Sequence, residues 1–304
     1  MESVWRADDG HEIRRIDWPG PDCGGTTRGS ILFMPGRGDA YEKYLETLEH
    51  WRQKGWCVTA ADWRGQAGSG RLGKDEVTGH IDDFSIWIAD LADFWGEWAN
   101  GRNGPLVLAG HSMGGHLVLR AVAEKALVPA PDGLILSAPL LGVHPHYVPM
   151  AVQVLVAAVM ASLGDPRRPA WKWSEKPGEL PLNRQRLLTH DDERYADEVW
   201  WRENRPQLTM GPGSWGWVKS MLASIQRLQE PGLLEGVDVP VCIVATSEDR
   251  LVSPQAVRQA VERLPQVDFL EFGPEAAHEV LREEDSVRDR ALATIDAFLD
   301  RLAS

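Results

Sequence analysis

Six apolar runs punctuate the chain: Ser30 to Pro35, Cys57 to Asp62, Pro105 to Gly110, Gly133 to Pro139, Val239 to Ala245 and Val267 to Phe272. Each is almost continuous in hydrophobicity rather than alternating. That pattern predicts strands covered on both faces, as in a parallel sheet. Between them the spacing of apolar residues changes to three and four. Phe84, Trp87, Ile88, Leu91, Trp95 and Trp98 form one such stripe, which predicts an amphipathic helix. Ser253 and Pro254 supply an N-cap and first-turn pair ahead of Val257, Ala260, Val261 and Leu264, and so predict another. Ala291, Ile295, Phe298 and Leu302 mark a C-terminal helix.

Alternating strand and helix predicts an α/β fold with a doubly wound, mostly parallel sheet. The segment from Ser3 to Trp18 adds an antiparallel hairpin at the sheet edge. From Leu141 to Gly236 the rhythm breaks. The stretch has helical patterns, many Pro, Trp and Arg residues, and no buried strand. Because it falls between two sheet strands, it predicts an insertion over the sheet rather than a tandem domain. The expected division is a core of residues 1–140 and 237–304, with a helical cap at 141–236.

Composition narrows the function. A chain of 304 residues with 43% hydrophobic content can bury a sizeable core. A formal net charge of -13 and the lack of a long basic run argue against nucleic acid as a partner. The N-terminal MESVWRADDGHEIRR has no apolar segment of the kind a secretory signal needs. Cys23, Cys57 and Cys242 show no C-x-x-C spacing, which argues against a zinc site or disulfide framework and for a reducing compartment. Cys57 and Cys242 fall in predicted strands and read as small buried hydrophobes. A cytoplasmic location is expected.

The chemistry starts at Gly110-His111-Ser112-Met113-Gly114. This G-x-S-x-G lies where a predicted strand gives way to a helix. That context suits a nucleophile elbow, in which glycines permit a tight turn that presents the serine hydroxyl. A serine hydroxyl is a poor nucleophile at neutral pH and needs a base, usually histidine, oriented by a carboxylate. After the strand ending at Ala245 come Glu248 and Asp249. After the strand ending at Phe272 comes His278, the only histidine beyond His190. Both loops belong at the C-terminal ends of strands, where open α/β sheets bind ligands. Ser112, Asp249 and His278 are therefore the expected nucleophile, acid and base, with Glu248 as the alternative acid.

This order of Ser, Asp and His resembles the α/β-hydrolase fold. MPGRGDAYEKY, ADWRGQAGSGRLG, GHIDDFSIWIADLADFW, AGHSMGGHLVLR and APLLGV resemble more closely the lysophospholipase L2 and monoacylglycerol lipase group. The resemblance covers Ile31 to Val143 and Val239 to His278. It implies an oxyanion hole of two backbone N–H groups, on Met113 and on Arg37. Pro35-Gly36 stands at the start of the Arg37 loop, where many members have His-Gly. The resemblance also implies that Asp62, Arg64 and Gly65 are structural. His111 reads as a packing residue rather than a second base. His144 and His146 form an H-x-H with no third ligand in view, so no metal is expected, and the chemistry needs no cofactor.

Within the insertion, Val148 to Gly164 is apolar nearly throughout and too short for a membrane span. Arg167, Arg168, Trp171, Lys172 and Trp173 follow. Such a helix suits packing as a cap, the preferred reading, and also transient contact with a membrane surface. Trp215 is the expected wall of a substrate pocket, and the Arg37 side chain is a candidate for meeting a phosphate. The expected activity is hydrolysis of a carboxylic ester, a monoacylglycerol or a lysophospholipid, through an acyl-enzyme. The alternatives are another serine-hydrolase reaction, thioesterase or aminopeptidase in type, and a non-catalytic binding protein on the same fold. An aminopeptidase would need an acidic anchor, for which Asp191, Asp192 and Glu193 are candidates. Nothing in the sequence sets the oligomeric state.

Overall fold

The computed structural model describes residues 1–18, 27–143, 148–172 and 182–304. Cys23, the His144 and His146 pair and Trp173 lie outside these residues. The chain opens with the expected hairpin, β1 (Glu2–Arg6) and β2 (Glu12–Trp18). It continues as β3 (Ser30–Met34), α1 (Leu45–Gln53), β4 (Cys57–Ala61), α2 (Phe84–Ala99), β5 (Leu106–His111), α3 (Met113–Ala123) and β6 (Gly133–Ser137). Four helices follow: α4 (Met150–Ser162), α5 (Leu182–Leu188), α6 (Asp192–Asn204) and α7 (Trp215–Leu228). The last part is β7 (Val241–Thr246), α8 (Pro254–Arg263), β8 (Val267–Phe272) and α9 (Asp285–Leu302).

All eight strands join one sheet in the order β1-β2-β4-β3-β5-β6-β7-β8. The pairs β1–β2 and β2–β4 are antiparallel, and every pair from β4 to β8 is parallel. The two faces of the sheet explain the continuous hydrophobic runs. Leu32, Leu108, Leu134 and Ile243 pack toward α2, α3 and α8. Their alternates Ile31, Val107, Ile135 and Cys242 pack toward α1 and α9. Successive strand residues point to opposite faces, so a strand covered on both must be apolar at every position. β8 is the exception: it lies at the sheet edge and is mostly half-buried.

Asp83 caps α2 by accepting from the Ser85 N–H, and Ser253 caps α8 by accepting from the Ala256 N–H. These side chains satisfy donors that the first helical turn leaves open. Helices α4 to α7 all fall between β6 and β7, and α4 lies against α7.

One cysteine differs from its expected state. Cys57, in β4, is disulfide-bonded, whereas Cys242 is free and buried. Three sparse cysteines without a C-x-x-C leave no spacing signature, so the pattern of the chain does not reveal such a bond. With it, the cysteine argument for a reducing compartment falls away. Among the described residues no helix is long and apolar enough to cross a membrane.

Candidate active site

Because β5 to β8 are parallel, their C-terminal ends share one edge of the sheet. Ser112 stands at the end of β5, between the strand and α3, with φ 52° and ψ -116°. Few non-glycine residues occupy positive φ, and the strain persists only where the surroundings enforce it. They do so here. A Cβ on Gly114 would come within 2.3 Å of the Met34 carbonyl oxygen and 2.4 Å of that of Pro35. A Cβ on Gly110 would meet the Gly114 carbonyl carbon at 2.7 Å. Both flanking positions therefore exclude any side chain. The Ser112 N–H donates to the Ser137 carbonyl at 2.9 Å, which ties the turn to β6.

The structure brings Ser112, His278 and Asp249 into one hydrogen-bonded chain. His278 Nε2 lies 2.9 Å from Ser112 Oγ, and His278 Nδ1 lies 2.6 Å from Asp249 Oδ2. The partners dictate the tautomer: Nδ1–H donates to the carboxylate, and Nε2 accepts from the hydroxyl. Asp249 Oδ1 accepts the N–H groups of Leu251 at 2.8 Å and Val252 at 3.0 Å, which fixes the carboxylate plane. Glu248, the alternative acid, is exposed.

Electrostatics follow from burial and pairing. Burial opposes the charged forms of both Asp249 and His278. The His278 partner and two backbone donors outweigh it for Asp249, whose pKa lies below the usual carboxylate value. The Asp249 charge and hydrogen bond outweigh it for His278, with Glu279 and Asp39 adding to them, so the imidazole pKa lies above its ordinary value. His111, whose ring centroid is 4.8 Å from that of His278, behaves oppositely. Burial and the neighbouring His278 lower its pKa to about 4, so it is neutral at pH 7.

Met113 is the first residue of α3, so its N–H is among the donors a helix cannot satisfy internally. Arg37 lies in the loop after β3. That loop approaches the nucleophile closely: a Cβ on Gly36 would come within 3.2 Å of Ser112 Cβ. The Arg37 guanidinium lies 5.0 Å from the ring centroids of both Trp171 and Trp217, and its Nη2 donates to the Gly211 carbonyl at 2.6 Å. The side chain considered for a phosphate is thus engaged within the protein.

Ser112 and His278 line a cavity of about 710 Å³, within the roughly 300–1,000 Å³ typical of small-molecule sites. Val152, Val156 and Ala157 of α4 and Val218, Met221 and Leu222 of α7 give it an apolar wall. Trp171, Trp215 and Trp217 also line it, so Trp215 stands where a pocket residue was expected. Arg37, Asp39, Arg184 and Glu279 supply polar groups. Asp191, Asp192 and Glu193 are elsewhere, at the start of α6, where the Asp191 side chain accepts from the Arg194 N–H.

Beside the site lies a buried charge cluster that the sequence pattern did not reveal. Lys43 Nζ is 2.8 Å from Asp39 Oδ1, 3.0 Å from Glu198 Oε2 and 2.5 Å from Glu279 Oε1. Arg282 bridges Glu279 at 2.6 Å and Glu198 at 3.3 Å. Arg202 and Arg184 also pair with Glu198. Among the described residues, Asp39, His111 and Glu279 form the one group compact enough to suggest a cation site. The Lys43 ammonium already supplies the cation there. The available signal was weak: Asp39 and Lys43 are four apart, but such a pair reads by default as a solvated helix face.

The family described as "Serine aminopeptidase, S33" matches residues 25–285 of this chain. Lysophospholipase L2 of Escherichia coli (strain K12) is 31% identical over 294 residues, covering 89% of this chain and 80% of the relative. Among solved structures, a soluble variant of monoglyceride lipase from Saccharomyces cerevisiae, in complex with a substrate analog, superposes with TM-score 0.78 at 20% identity. That match covers 99% of this chain and 95% of the other. The monoacylglycerol lipase of Paleococcus ferrophilus gives TM-score 0.70 at 21% identity, covering 96% and 98%.

Proposed function

Since the chain belongs to the serine aminopeptidase S33 family and is an ester-hydrolysing serine hydrolase of the α/β-hydrolase superfamily, we propose that it cleaves the carboxylic ester of a monoacylglycerol or lysophospholipid through an acyl-enzyme on Ser112. The observation that carries this reading is the Asp249–His278–Ser112 hydrogen-bonded chain at the wall of a largely apolar cavity. An apolar wall suits an acyl chain, and a base already in contact with the serine hydroxyl suits acyl transfer.

In this mechanism the lipid ester carbonyl sits over Ser112. His278 Nε2 takes the Ser112 proton as Oγ forms a bond to the carbonyl carbon. Asp249 holds the imidazole tautomer and stabilises the imidazolium. The backbone N–H groups of Met113 and Arg37 receive the developing oxyanion, a contribution of about 3 to 4 kcal/mol for a single donor. Collapse breaks the ester C–O bond, and His278 returns its proton to the departing alcohol. Water then repeats the sequence on the acyl-enzyme and releases the fatty acid.

The cap, residues 141–236 in this reading, also supports transient contact with a membrane surface. Val152, Leu155, Val156, Val159 and Leu163 are exposed on or beside α4, and Leu155 is 64% exposed. Val152 and Val156 line the cavity as well, so the apolar surface runs into the site. Arg167 and Lys172, which follow α4 in the chain, are exposed, and Arg167 pairs with Asp165. This arrangement matches adsorption of apolar and basic groups at an anionic lipid surface. An aminopeptidase activity fits less well. The carboxylates in the cavity wall that could anchor a substrate amine, Asp39 and Glu279, are both bridged by Lys43.

Rates on a short p-nitrophenyl ester, a long-chain monoacylglycerol, a lysophosphatidylcholine and an aminoacyl anilide test the proposal, with Ser112→Ala as control. The expected result is fastest cleavage of a long-chain lipid ester and a loss of several orders of magnitude in the variant. Preference for the anilide, or a Ser112→Ala protein as active as the parent, would overturn it.

A further inference from the structure

The loop that carries His278 is held from two sides, and one of them is the cap. Three consecutive backbone donors have fixed acceptors. The Ala277 N–H donates to Glu283 Oε1 at 2.7 Å. The His278 N–H donates to the Leu187 carbonyl at 3.3 Å, and the Glu279 N–H to the Leu188 carbonyl at 2.7 Å. Leu187 and Leu188 are the last two residues of α5. Carbonyls in a final helical turn have no partner within the helix, so the catalytic loop completes the end of a cap helix.

Glu283 joins the two sides. Its side chain is fully buried, and no arginine or lysine pairs with its carboxylate among the described residues. Backbone and ring N–H groups surround it instead. Besides Ala277, it takes the His190 N–H at 3.1 Å, His190 Nδ1 at 3.0 Å and the Glu284 N–H at 3.3 Å. One carboxylate thus holds the residue before His278 and a cap residue just beyond α5. Further bonds reinforce the joint: the Thr189 hydroxyl donates to the Arg282 carbonyl at 2.7 Å, and Arg194 Nη1 donates to the Glu283 carbonyl at 2.6 Å.

We infer that Glu283 is a positioning residue for the catalytic histidine, clasping the His278 loop to cap residues 187–190 so that the base is aligned only when the cap is seated. Glu283 and Thr189 do not line the cavity. They act on the reaction through the His278 backbone and not through the substrate. A displacement of about 1 Å at a catalytic group is enough to cost orders of magnitude in rate. The inference rests on the proposed roles of Ser112 and His278.

The test compares the full-length parent with Glu283→Gln, Glu283→Ala and Thr189→Val. Glutamine keeps one acceptor oxygen but turns an N–H₂ toward other donors. Valine removes the Thr189 hydroxyl with little change of shape. Three readouts are taken: kcat and KM on a short p-nitrophenyl ester and a long-chain monoacylglycerol, the rate at which a fluorophosphonate labels Ser112, and Tm. The expected result for Glu283→Gln is a fall in kcat of about tenfold or more on both esters, with KM within about twofold. Labelling should slow in step, because it needs the same base. Glu283→Ala should lose more and Thr189→Val less.

A folded Glu283→Gln with unchanged kcat and labelling rate would overturn the inference. So would a loss confined to KM for the long-chain ester, which would mean that the joint only shapes the pocket. If the glutamate variants do not fold, Thr189→Val alone decides: unchanged kcat and labelling reject the clasp. A parent protein that labels at Ser112 yet cleaves neither ester would remove the ester reading alone, and the labelling rates would still test the clasp.

Discussion

At the scale of single residues, the site is a contest between burial and pairing at His278. In the proposed mechanism the imidazole must be neutral to accept the Ser112 proton. Its pKa lies above the ordinary 6.5 because Asp249 outweighs burial. Activity is therefore present at high pH and is lost as pH falls through a value above 6.5. In Asp249→Asn the charge that raises the pKa is gone and burial remains, so the acid limb of kcat/KM should move to lower pH. The same change leaves the tautomer unfixed, and kcat should fall by about 10⁴-fold. A pH–rate profile on a soluble ester checks both. An acid limb that stays in place would show that Asp249 does not set the base. Asp249 was legible in the sequence as one of two adjacent acids. Chain order favours Asp249 over Glu248, and its burial and 2.6 Å contact with His278 separate the two in the fold.

At the scale of elements, α4 carries apolar residues on its exposed side as well as its buried one. Ala157 and Ala161 are its buried residues, while Leu155 and Val159 are exposed and do not line the cavity. Substituting both by glutamate should leave kcat/KM on a short soluble ester within about twofold. It should abolish co-sedimentation with vesicles of anionic lipid, since burying one leucine contributes roughly 1.5–3 kcal/mol. Undiminished sedimentation would place the lipid contact on another surface. The end of α5 is held from outside its own segment. Its final carbonyls are completed by the His278 loop, a pairing between segments about 90 residues apart that no local pattern encodes.

At the largest scale, Lys43 is one of the points where α6 meets the loops beside the sheet. Asp39 and Glu279 reach it from the core, and Glu198 reaches it from α6. Burial opposes its charge, but the three carboxylates prevail and its pKa is raised. Removing the ammonium leaves buried carboxylates without their shared partner. Lys43→Met should therefore destabilise the fold by about 3–5 kcal/mol, the usual cost of breaking a buried ion pair from one side. Denaturant unfolding measures this. A loss below about 1 kcal/mol would mean that the arginines around Glu198 and Glu279 compensate.

The pattern of the chain alone determined the doubly wound sheet, because strands buried on both faces must be apolar at every position and the helices between them must be striped. It also determined the elbow at Ser112, since the turn tolerates only glycine where Met34, Pro35 and the backbone of α3 crowd it. The acid and base followed from their order along the chain. What surrounds them comes from the packing of distant segments. Lys43, Glu198, Glu279 and Glu283 are charged residues that a sequence places on solvated faces by default. Their burial depends on partners from distant segments, and a buried charge is stable only when those partners converge. The hold of residues 187–190 on the His278 loop is of the same kind: backbone hydrogen bonds joined by the side chains of Glu283, Thr189 and Arg194, which no local pattern pairs.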